Sequence, residues 1–279
     1  MEYIKLNNGV MMPQMGYGVY QIAPDMCERC VADALSVGYR MIDTAQAYHN
    51  EEGVGRAVAD SGVGRDEIFL VSKVWISNYG YEKAKVSIDE SLRRLRTDYI
   101  DLMLLHQPFC DRYGAYRALQ DAYREGKVRA IGVSNFYPDH FIDLAENMDI
   151  TPAVNQVETH VFCQQREAQA VMQDYGTQIM SWGPFAEGRN NFFGNQVLGE
   201  IASRHGKTVP QVALRWLLQR GVVIIPKTTH VGRMKENLDI FDFTLSDGDM
   251  DAIASLDTGE SIFFDNHSAE AAKMFMGWR

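Results

Sequence analysis

The sequence predicts an α/β protein in which residues 1–279 fold as a single (β/α)8 TIM barrel. Eight short apolar runs alternate with segments of helical periodicity, the chain is near the length of about 250 residues typical of such a barrel, and no linker divides it. Strands alternating with helices form a parallel sheet, and eight repeats close it. An open doubly wound sheet is the alternative, but Gly16-Tyr17-Gly18 lacks the third glycine of a dinucleotide-binding turn.

A β-hairpin is predicted first, from residues 3–6 and 10–12 around the turn Asn7-Asn8-Gly9. The eight predicted barrel strands are residues 15–19, 39–43, 68–74, 100–105, 128–133, 153–157, 178–181 and 222–225. The predicted helices lie near residues 25–37, 51–60, 80–96, 113–124, 138–146, 165–173, 209–219 and 231–239. Two extra helices, near 194–204 and 246–256, lie outside this repeat.

Charge and apolar content narrow the class of protein. The formal net charge of -10 argues against nucleic acid or an anionic membrane as the main partner. The first residues lack the apolar core of a signal peptide, and no apolar run approaches 18 residues. We therefore expect a soluble, cytoplasmic protein, and a monomer.

Cys27 and Cys30 form a C-x-x-C pair, which is compatible with a redox pair or half a zinc site. No second such pair or suitably spaced histidine pair follows, and the segment has the pattern of an amphipathic helix. We interpret them as two reduced cysteines one helical turn apart, and expect no metal.

Polar side chains follow three consecutive predicted strands. Asp43 ends the second strand and Tyr48 follows it, Lys73 lies near the end of the third, and His106 follows the fourth. Singly, each is compatible with packing: a loop tyrosine, a structural histidine, an ordinary ion pair. Packing does not easily explain all four together, because Lys and Asp are rarely buried without partners. A barrel also carries its active site at these strand ends.

The chemistry of these four residues suits proton delivery to an oxygen atom. A free tyrosine has a pKa of about 10, and a neighbouring ammonium is expected to lower it. Asp43 would hold Lys73 in place and charged, while His106 would hydrogen-bond and polarise a carbonyl oxygen. The arrangement fits a reaction in which another group delivers hydride to the carbon atom.

The motifs around these residues resemble those of the aldo-keto reductase superfamily. They are the segment from Gly38 to Gly55, Lys73-Val74-Trp75, His106-Gln107-Pro108, Gly132 to Phe136, Asn155 to Glu158, Ile225 to Thr229, and Arg233 to Asn237, in the order of that family. The resemblance extends from about residue 3 to residue 265. It implies carbonyl reduction with NADPH, and it places the catalytic tetrad of the family on Asp43, Tyr48, Lys73 and His106.

The same resemblance implies a set of cofactor contacts. The nicotinamide carboxamide would be held by Ser134, Asn135 and Gln156, and the nicotinamide ring would stack on Trp182. The pyrophosphate would follow the turn that includes Gly183 and Phe185. The 2'-phosphate would meet Lys227, Thr228, Thr229 and Arg233, and the adenine would face Glu236 and Asn237. Two cations beside a helix start favour NADPH over NADH. His230 stands where the family often has a small polar residue.

The substrate pocket is less defined by the sequence. Tyr20, Trp75, Phe109 and Phe264 are candidates for an aromatic wall beside His106, although each is equally compatible with a core or surface position. The chain ends soon after Phe264, which resembles the bacterial 2,5-diketo-gluconate reductase branch. A short terminal segment implies an open pocket for small aldehydes, dicarbonyls or keto-sugar acids.

Two other functions remain as alternatives. One is an aldolase-type barrel with a Schiff base on Lys73 or Lys227, although neither lysine resembles the desolvated amine of lowered pKa that such chemistry needs. The other is a non-catalytic, NADPH-binding regulatory subunit, against which the intact tetrad argues.

Overall fold

The computed structural model describes residues 2–279, which contain ten β-strands and eleven α-helices. The strands are β1 (Tyr3–Lys5), β2 (Met11–Pro13), β3 (Tyr17–Gly18), β4 (Met41–Asp43), β5 (Phe69–Val74), β6 (Leu102–Leu105), β7 (Ile131–Ser134), β8 (Val154–Glu158), β9 (Gln178–Trp182) and β10 (Val223–Ile224). The helices are α1 (Pro24–Val37), α2 (Glu51–Asp60), α3 (Tyr81–Leu95), α4 (Arg112–Arg124), α5 (Pro138–Asn147), α6 (Arg166–Asp174), α7 (Gln196–His205), α8 (Val209–Gln219), α9 (Val231–Leu238), α10 (Asp247–Ala254) and α11 (Ala269–Met276).

Strands β3 to β10 form the barrel. They lie in chain order in the sheet, and every neighbouring pair is parallel. The two ends of the sheet meet: Met15, just before β3, bridges Ile224 of β10, and the Gly16 amide donates to the Ile224 carbonyl at 2.8 Å. At least one helix connects each strand to the next, as parallel neighbours require. The predicted (β/α)8 barrel is confirmed.

Two apolar layers stabilise this barrel. The larger lies between the sheet and the outer helices, and its fully buried members include Leu105 and Trp216. The smaller fills the amino-terminal end of the barrel interior, where Leu6 and Met12 pack with inward-facing strand residues such as Phe69. The predicted hairpin, β1 paired antiparallel with β2, therefore covers that end of the barrel.

Gly132 of β7 permits the close approach of a neighbouring strand. A Cβ atom on this residue would lie 2.3 Å from the Val154 carbonyl oxygen of β8, far inside van der Waals contact. Any side chain here would push β7 away from β8. Since Ser134 ends the same strand two residues later, the glycine also sets the position of that hydroxyl.

The predicted extra helices are present as α7 and α10, and the structure adds a third, α11, that the sequence analysis did not anticipate. The signal for α11 was nevertheless present: Ser268 is an N-cap residue whose Oγ accepts from the Ala271 amide at 3.0 Å, and a run of alanines follows. The end of the chain is therefore a short connection and a helix.

Cys27 and Cys30 lie in α1 as expected, both fully buried and free. Burial raises the pKa of the Cys27 thiol to about 12, so this sulfur is a poor nucleophile near neutral pH. Among residues 2–279 no group of three or more His, Cys, Asp or Glu side chains is arranged to hold a metal ion. Within the same residues, no helix has the length and apolar character that crossing a membrane requires.

Asp249 connects α7 to α10. Its carboxylate lies 2.9 Å from His205 Nε2, accepts from Ser246 Oγ at 2.8 Å and pairs with Arg204. Burial would raise the pKa of Asp249, but the hydrogen bonds from His205, Arg204 and Ser246 hold that pKa well below its ordinary value.

We expect Asp249→Asn to lower the free energy of unfolding by about 1–3 kcal/mol near neutral pH, because the amide leaves Arg204 without its charged partner. A carboxylate of lowered pKa stabilises the folded state above the pKa of the unfolded chain, about 4, and loses that effect as the pH falls below it. The difference in unfolding free energy between wild type and variant, measured in urea, should therefore shrink from pH 5 toward pH 3. A difference that stays constant over this range would contradict the assignment.

Candidate active site

Three neighbouring strands bring the four predicted catalytic residues together. Asp43 is the last residue of β4, Lys73 lies in β5, and His106 directly follows β6. Tyr48 lies in a single 3-10 turn, Gln46–Tyr48, between β4 and α2. Because β4, β5 and β6 are adjacent and parallel, all four side chains meet at the carboxyl end of the barrel.

Lys73 is at the centre of this group and is inaccessible to solvent. Its Nζ donates to Asp43 Oδ1 at 2.7 Å, to the Thr44 carbonyl at 2.9 Å and to the Tyr48 hydroxyl at 3.4 Å. The three N–H groups of an ammonium thus each have an oxygen partner. Asp43 is also buried, so the ion pair is shielded from water.

Two expectations about protonation need correction. We expected that Lys73 would not be a desolvated amine of lowered pKa. Burial does lower the pKa of Lys73, and the charge of Asp43 partly offsets this shift. Lys73 was also expected to lower the pKa of Tyr48. Instead, burial first and then the Asp43 charge hold the pKa of Tyr48 well above its ordinary value. The resting phenol therefore keeps its proton.

His106 is a neutral imidazole at the edge of the same group. Burial, and after it the Lys73 charge, holds the pKa of His106 well below its ordinary value. Its Nδ1 atom is buried without a hydrogen-bond partner among residues 2–279. The ring meets the Tyr48 ring edge-on, with 5.6 Å between centroids, and the Trp75 ring at 5.0 Å.

A polar cluster next to the tetrad contains the four residues predicted to hold the nicotinamide. Asn135 Nδ2 donates to the His106 carbonyl at 3.1 Å, and its Oδ1 accepts from Trp182 Nε1 at 2.9 Å. Asn135 also contacts Ser134 Oγ at 3.2 Å. Gln156 Nε2 donates to Asp43 Oδ2 at 2.9 Å, which links this cluster directly to the ion pair.

The turn after β9 begins at Gly183, whose φ of 64° is in the left-handed region that favours glycine. Phe185 follows, and its ring packs 5.8 Å from that of Phe192. The predicted pyrophosphate contacts thus lie on a turn that has its own small aromatic cluster.

Residues predicted for the 2'-phosphate and adenine follow β10. Lys227 and Arg233 are exposed, and neither forms an ion pair with a carboxylate in the part of the chain that the structure describes. Thr228 is buried, and its Oγ1 accepts from the His230 amide at 3.2 Å, while Thr229 is half-buried. Of the adenine candidates, Glu236 accepts from Thr208 Oγ1 at 2.7 Å and Asn237 is buried.

The aromatic wall is larger than the sequence indicated. Tyr20 is exposed, with its ring 5.0 Å from that of Tyr48, and Trp75 lies beside Trp278 at 6.1 Å. The other two predicted members, Phe109 and Phe264, both pack on Phe275 of α11, at 5.1 and 5.6 Å. Trp278 and Phe275 were missed, because their sequence separation from Trp75 and Phe109 gives no local signal.

Comparison with known proteins identifies the family. The sequence profile of the aldo/keto reductase family matches residues 5–258. Glyoxal reductase of Bacillus subtilis is 46% identical over 263 residues, which cover 94% of this chain and 95% of that protein. Methylglyoxal reductase DkgA of Escherichia coli is 39% identical over 262 residues, with coverage of 93% and 94%, and this similarity confirms the expected branch. The chain belongs to the aldo/keto reductase family of oxidoreductases.

Solved structures share the fold. An aldo-keto reductase from a Medee basin deep-sea metagenome library has a TM-score of 0.93 at 42% identity, and the match covers 95% of this chain and 99% of that one. The Bombyx mori aldo-keto reductase in complex with NADP has a TM-score of 0.90 at 31% identity, with coverage of 98% and 96%. The predicted cofactor, NADP(H), is confirmed by this relationship.

The ion pair makes a prediction about stability. Lys73→Met should lower the free energy of unfolding by about 3–5 kcal/mol, because it leaves Asp43 as an unpaired buried charge. The double variant Asp43→Asn, Lys73→Met should lose less than the single one, which urea unfolding of both proteins would measure. Lys83→Met, the same change at an exposed lysine of α3, is the control and should alter stability by less than about 0.5 kcal/mol. Equal losses in Lys73→Met and Lys83→Met would contradict the role of the pair.

Proposed function

We propose that this protein reduces aldehydes and ketones to alcohols with NADPH, and that Tyr48 supplies the proton. The observation that carries the proposal is the position of Lys73 Nζ, which contacts Asp43 and the Tyr48 hydroxyl at the same time. A buried cation beside a protonated phenol is suited to stabilise the phenolate that remains after the proton has left.

The residues present fit NADPH by their chemistry. Lys227 and Arg233 are exposed cations near the start of α9, which suits a 2'-phosphate. Asn135 and Gln156 provide amide groups next to the tetrad, and Trp182 offers an aromatic ring at the same edge. When bound, NADPH supplies the hydride that reduces the carbonyl carbon.

Tyr48 acts as the general acid in this scheme. Its raised pKa keeps the proton on the phenol until a substrate oxygen that gains negative charge accepts it. Lys73 then faces a phenolate at 3.4 Å, and its attraction to that new charge favours the transfer. Asp43 is a positioning residue, because it keeps Lys73 charged and in place without touching the substrate.

His106 orients the substrate. Its pKa is held well below neutrality, so the ring is uncharged and one nitrogen carries a proton that it can donate to the carbonyl oxygen. The ring stands edge-on to Tyr48 with 5.6 Å between centroids, so the two side chains are neighbours, and we propose that both donate to one carbonyl oxygen. This polarises the carbonyl and aligns it with the phenol.

Small aldehydes and dicarbonyls are the substrates we propose, with keto-sugar acids as a further class. Support comes from the aromatic wall beside His106, where Trp75 lies 6.1 Å from Trp278, and from two relatives that are named for glyoxal and methylglyoxal. We further propose that the chain acts as a single-domain, cytoplasmic monomer.

The alternative functions have less support. A Schiff base on Lys73 needs a free amine lone pair, whereas all three of its N–H groups are engaged by oxygen atoms. Lys227 is exposed and follows a buried proline, so nothing there lowers the solvation of its amine. A purely regulatory role would leave the buried tetrad, with its cost in desolvation, without a purpose.

Tyr48→Phe tests the proton donor. We expect it to lower carbonyl reduction by about 10²–10⁴-fold, because general acid catalysis is lost, while NADPH affinity stays near that of wild type. Steady-state NADPH consumption with methylglyoxal and cofactor titration by tryptophan fluorescence would measure the two quantities. Tyr113→Phe, the same change at a phenol on α4, is the matched control and should retain activity. Near-wild-type turnover in Tyr48→Phe would mean that the proton comes from another group.

Arg233→Gln tests the choice of cofactor. The guanidinium is expected to contact only the 2'-phosphate, so the variant should weaken NADPH binding by about 10-fold or more and leave NADH binding nearly unchanged. Lys235→Gln, at another exposed cation of α9, controls for a general loss of positive charge. Equal losses for the two cofactors, by the same fluorescence titration, would reject the assignment.

A further inference from the structure

Glu158 is a buried carboxylate that the proposed reaction does not use. It ends β8, only 1% of it is exposed, and no Lys or Arg among residues 2–279 forms an ion pair with it. Burying such a charge is costly unless hydrogen bonds satisfy both oxygen atoms. The donors that satisfy it therefore indicate what the carboxylate holds in place.

Three donors converge on Glu158, and two belong to one distant segment. Ser261 Oγ donates to Oε2 at 2.5 Å, and the Ile262 amide donates to Oε1 at 3.0 Å. The third is His160, whose Nε2 lies 2.9 Å from Oε1. Since His160 Nδ1 accepts from two backbone amides, Nε2 carries the ring proton and donates it. We call Glu158 and Ser261, with their mutual hydrogen bond, the carboxylate latch.

The turn held by the latch carries two aromatic rings that pack on different partners. Ser261 Oγ accepts from the amides of Phe263 and Phe264, each at 3.1 Å, which forms a tight turn. The Phe263 ring meets Trp182 edge-on with 5.1 Å between centroids. The Phe264 ring packs against Phe275 of α11, with 5.6 Å between centroids. One turn thus contacts both Trp182, which is predicted to stack on the nicotinamide, and α11, the helix that borders the predicted substrate pocket.

A second connection joins the cofactor-side turn to the same segment. Arg189, which follows Gly183 and Phe185, donates to the Ile262 carbonyl at 2.8 Å. Its guanidinium lies 4.3 Å from the centroid of the Phe263 ring. The amide of Ile262 is held by Glu158 while its carbonyl is held by Arg189, so both elements fix one peptide region.

We propose that Glu158 is a positioning residue that, through Ser261, sets both the affinity for NADPH and the affinity for the carbonyl substrate. It places Phe263 against Trp182 on the cofactor side and Phe264 against α11 on the substrate side, and it touches neither ligand. The inference rests on the proposed function, in which Trp182 stacks on the nicotinamide and α11 borders the substrate. Replacement of a buried charge by an apolar residue is often neutral or stabilising, so a role in positioning explains the charge better than stability does.

Ser261→Ala is the decisive variant, because it removes the hydrogen bond to Glu158 together with the two that Ser261 Oγ accepts from the Phe263 and Phe264 amides. The residue is half-buried, so the barrel should remain folded. We expect the dissociation constant for NADPH and the KM for methylglyoxal each to rise about 10-fold, with kcat at saturation within about two-fold of wild type. Ser261→Thr keeps the hydroxyl and should restore both affinities. Ser255→Ala removes an exposed hydroxyl that donates only to the Ala252 carbonyl, and it should change neither. Glu158→Gln should resemble Ser261→Ala.

Three results would overturn the inference. One is wild-type NADPH affinity and KM in Ser261→Ala, and another is failure of Ser261→Thr to restore them. The third is a fall in kcat in proportion to the folded fraction at unchanged KM, which would indicate a structural role alone. If wild-type protein does not reduce aldehydes, the proposed function fails, but the NADPH titrations still decide whether the latch controls cofactor binding.

Discussion

The buried ammonium of Lys73 is the constraint on which the rest of the site depends. A charge in the protein interior is tolerated only when its partners are held at hydrogen-bond distance, and here they are Asp43, Thr44 and Tyr48. Those partners stand on a strand end and on the turn after it, whereas Lys73 stands on the next strand. The register between β4 and β5 is therefore fixed by the ion pair and hydrogen bonds of Lys73 as well as by backbone pairing.

The fold was predictable because its signals are local and repeated. Parallel strands buried on both faces are continuous apolar runs, and helices between them have their own period, so eight repeats were visible without any contact information. The meeting of the four residues proposed as the tetrad was predictable for a related reason: Asp43 and Lys73 are charged residues at the ends of apolar runs. Strand limits were less accurate, since the first barrel strand was predicted as residues 15–19 and is observed as Tyr17–Gly18.

Other features of the site could not be predicted from the sequence, because they depend on contacts that form only in the folded barrel. The raised pKa of Tyr48 follows from its burial first and then from the Asp43 charge, and no sequence pattern reports how deeply a loop tyrosine is buried. The packing of α11 joins residues as distant as Cys110 and Met276, whose sulfur atoms are 3.7 Å apart. Glu158 is an intermediate case. It ends an apolar strand as Asp43 does, so its position could be singled out, but its partner Ser261 lies 103 residues later.

The hairpin at the amino-terminal end of the barrel has a consequence for the order in which ligands would bind. Leu6 and Met12 are buried against inward-facing strand residues at that end, whereas the candidate active site lies at the opposite, carboxyl end of the barrel. A ligand of the candidate active site would approach from that carboxyl end. The cluster of Asn135, Gln156 and Trp182 lies beside the tetrad, whereas Tyr20 and Trp278 stand exposed at the rim. Asn135 and Gln156 are buried, so a molecule bound on the cluster would be covered by one bound between the exposed rim residues, and the two would then leave in the reverse of the order in which they bound.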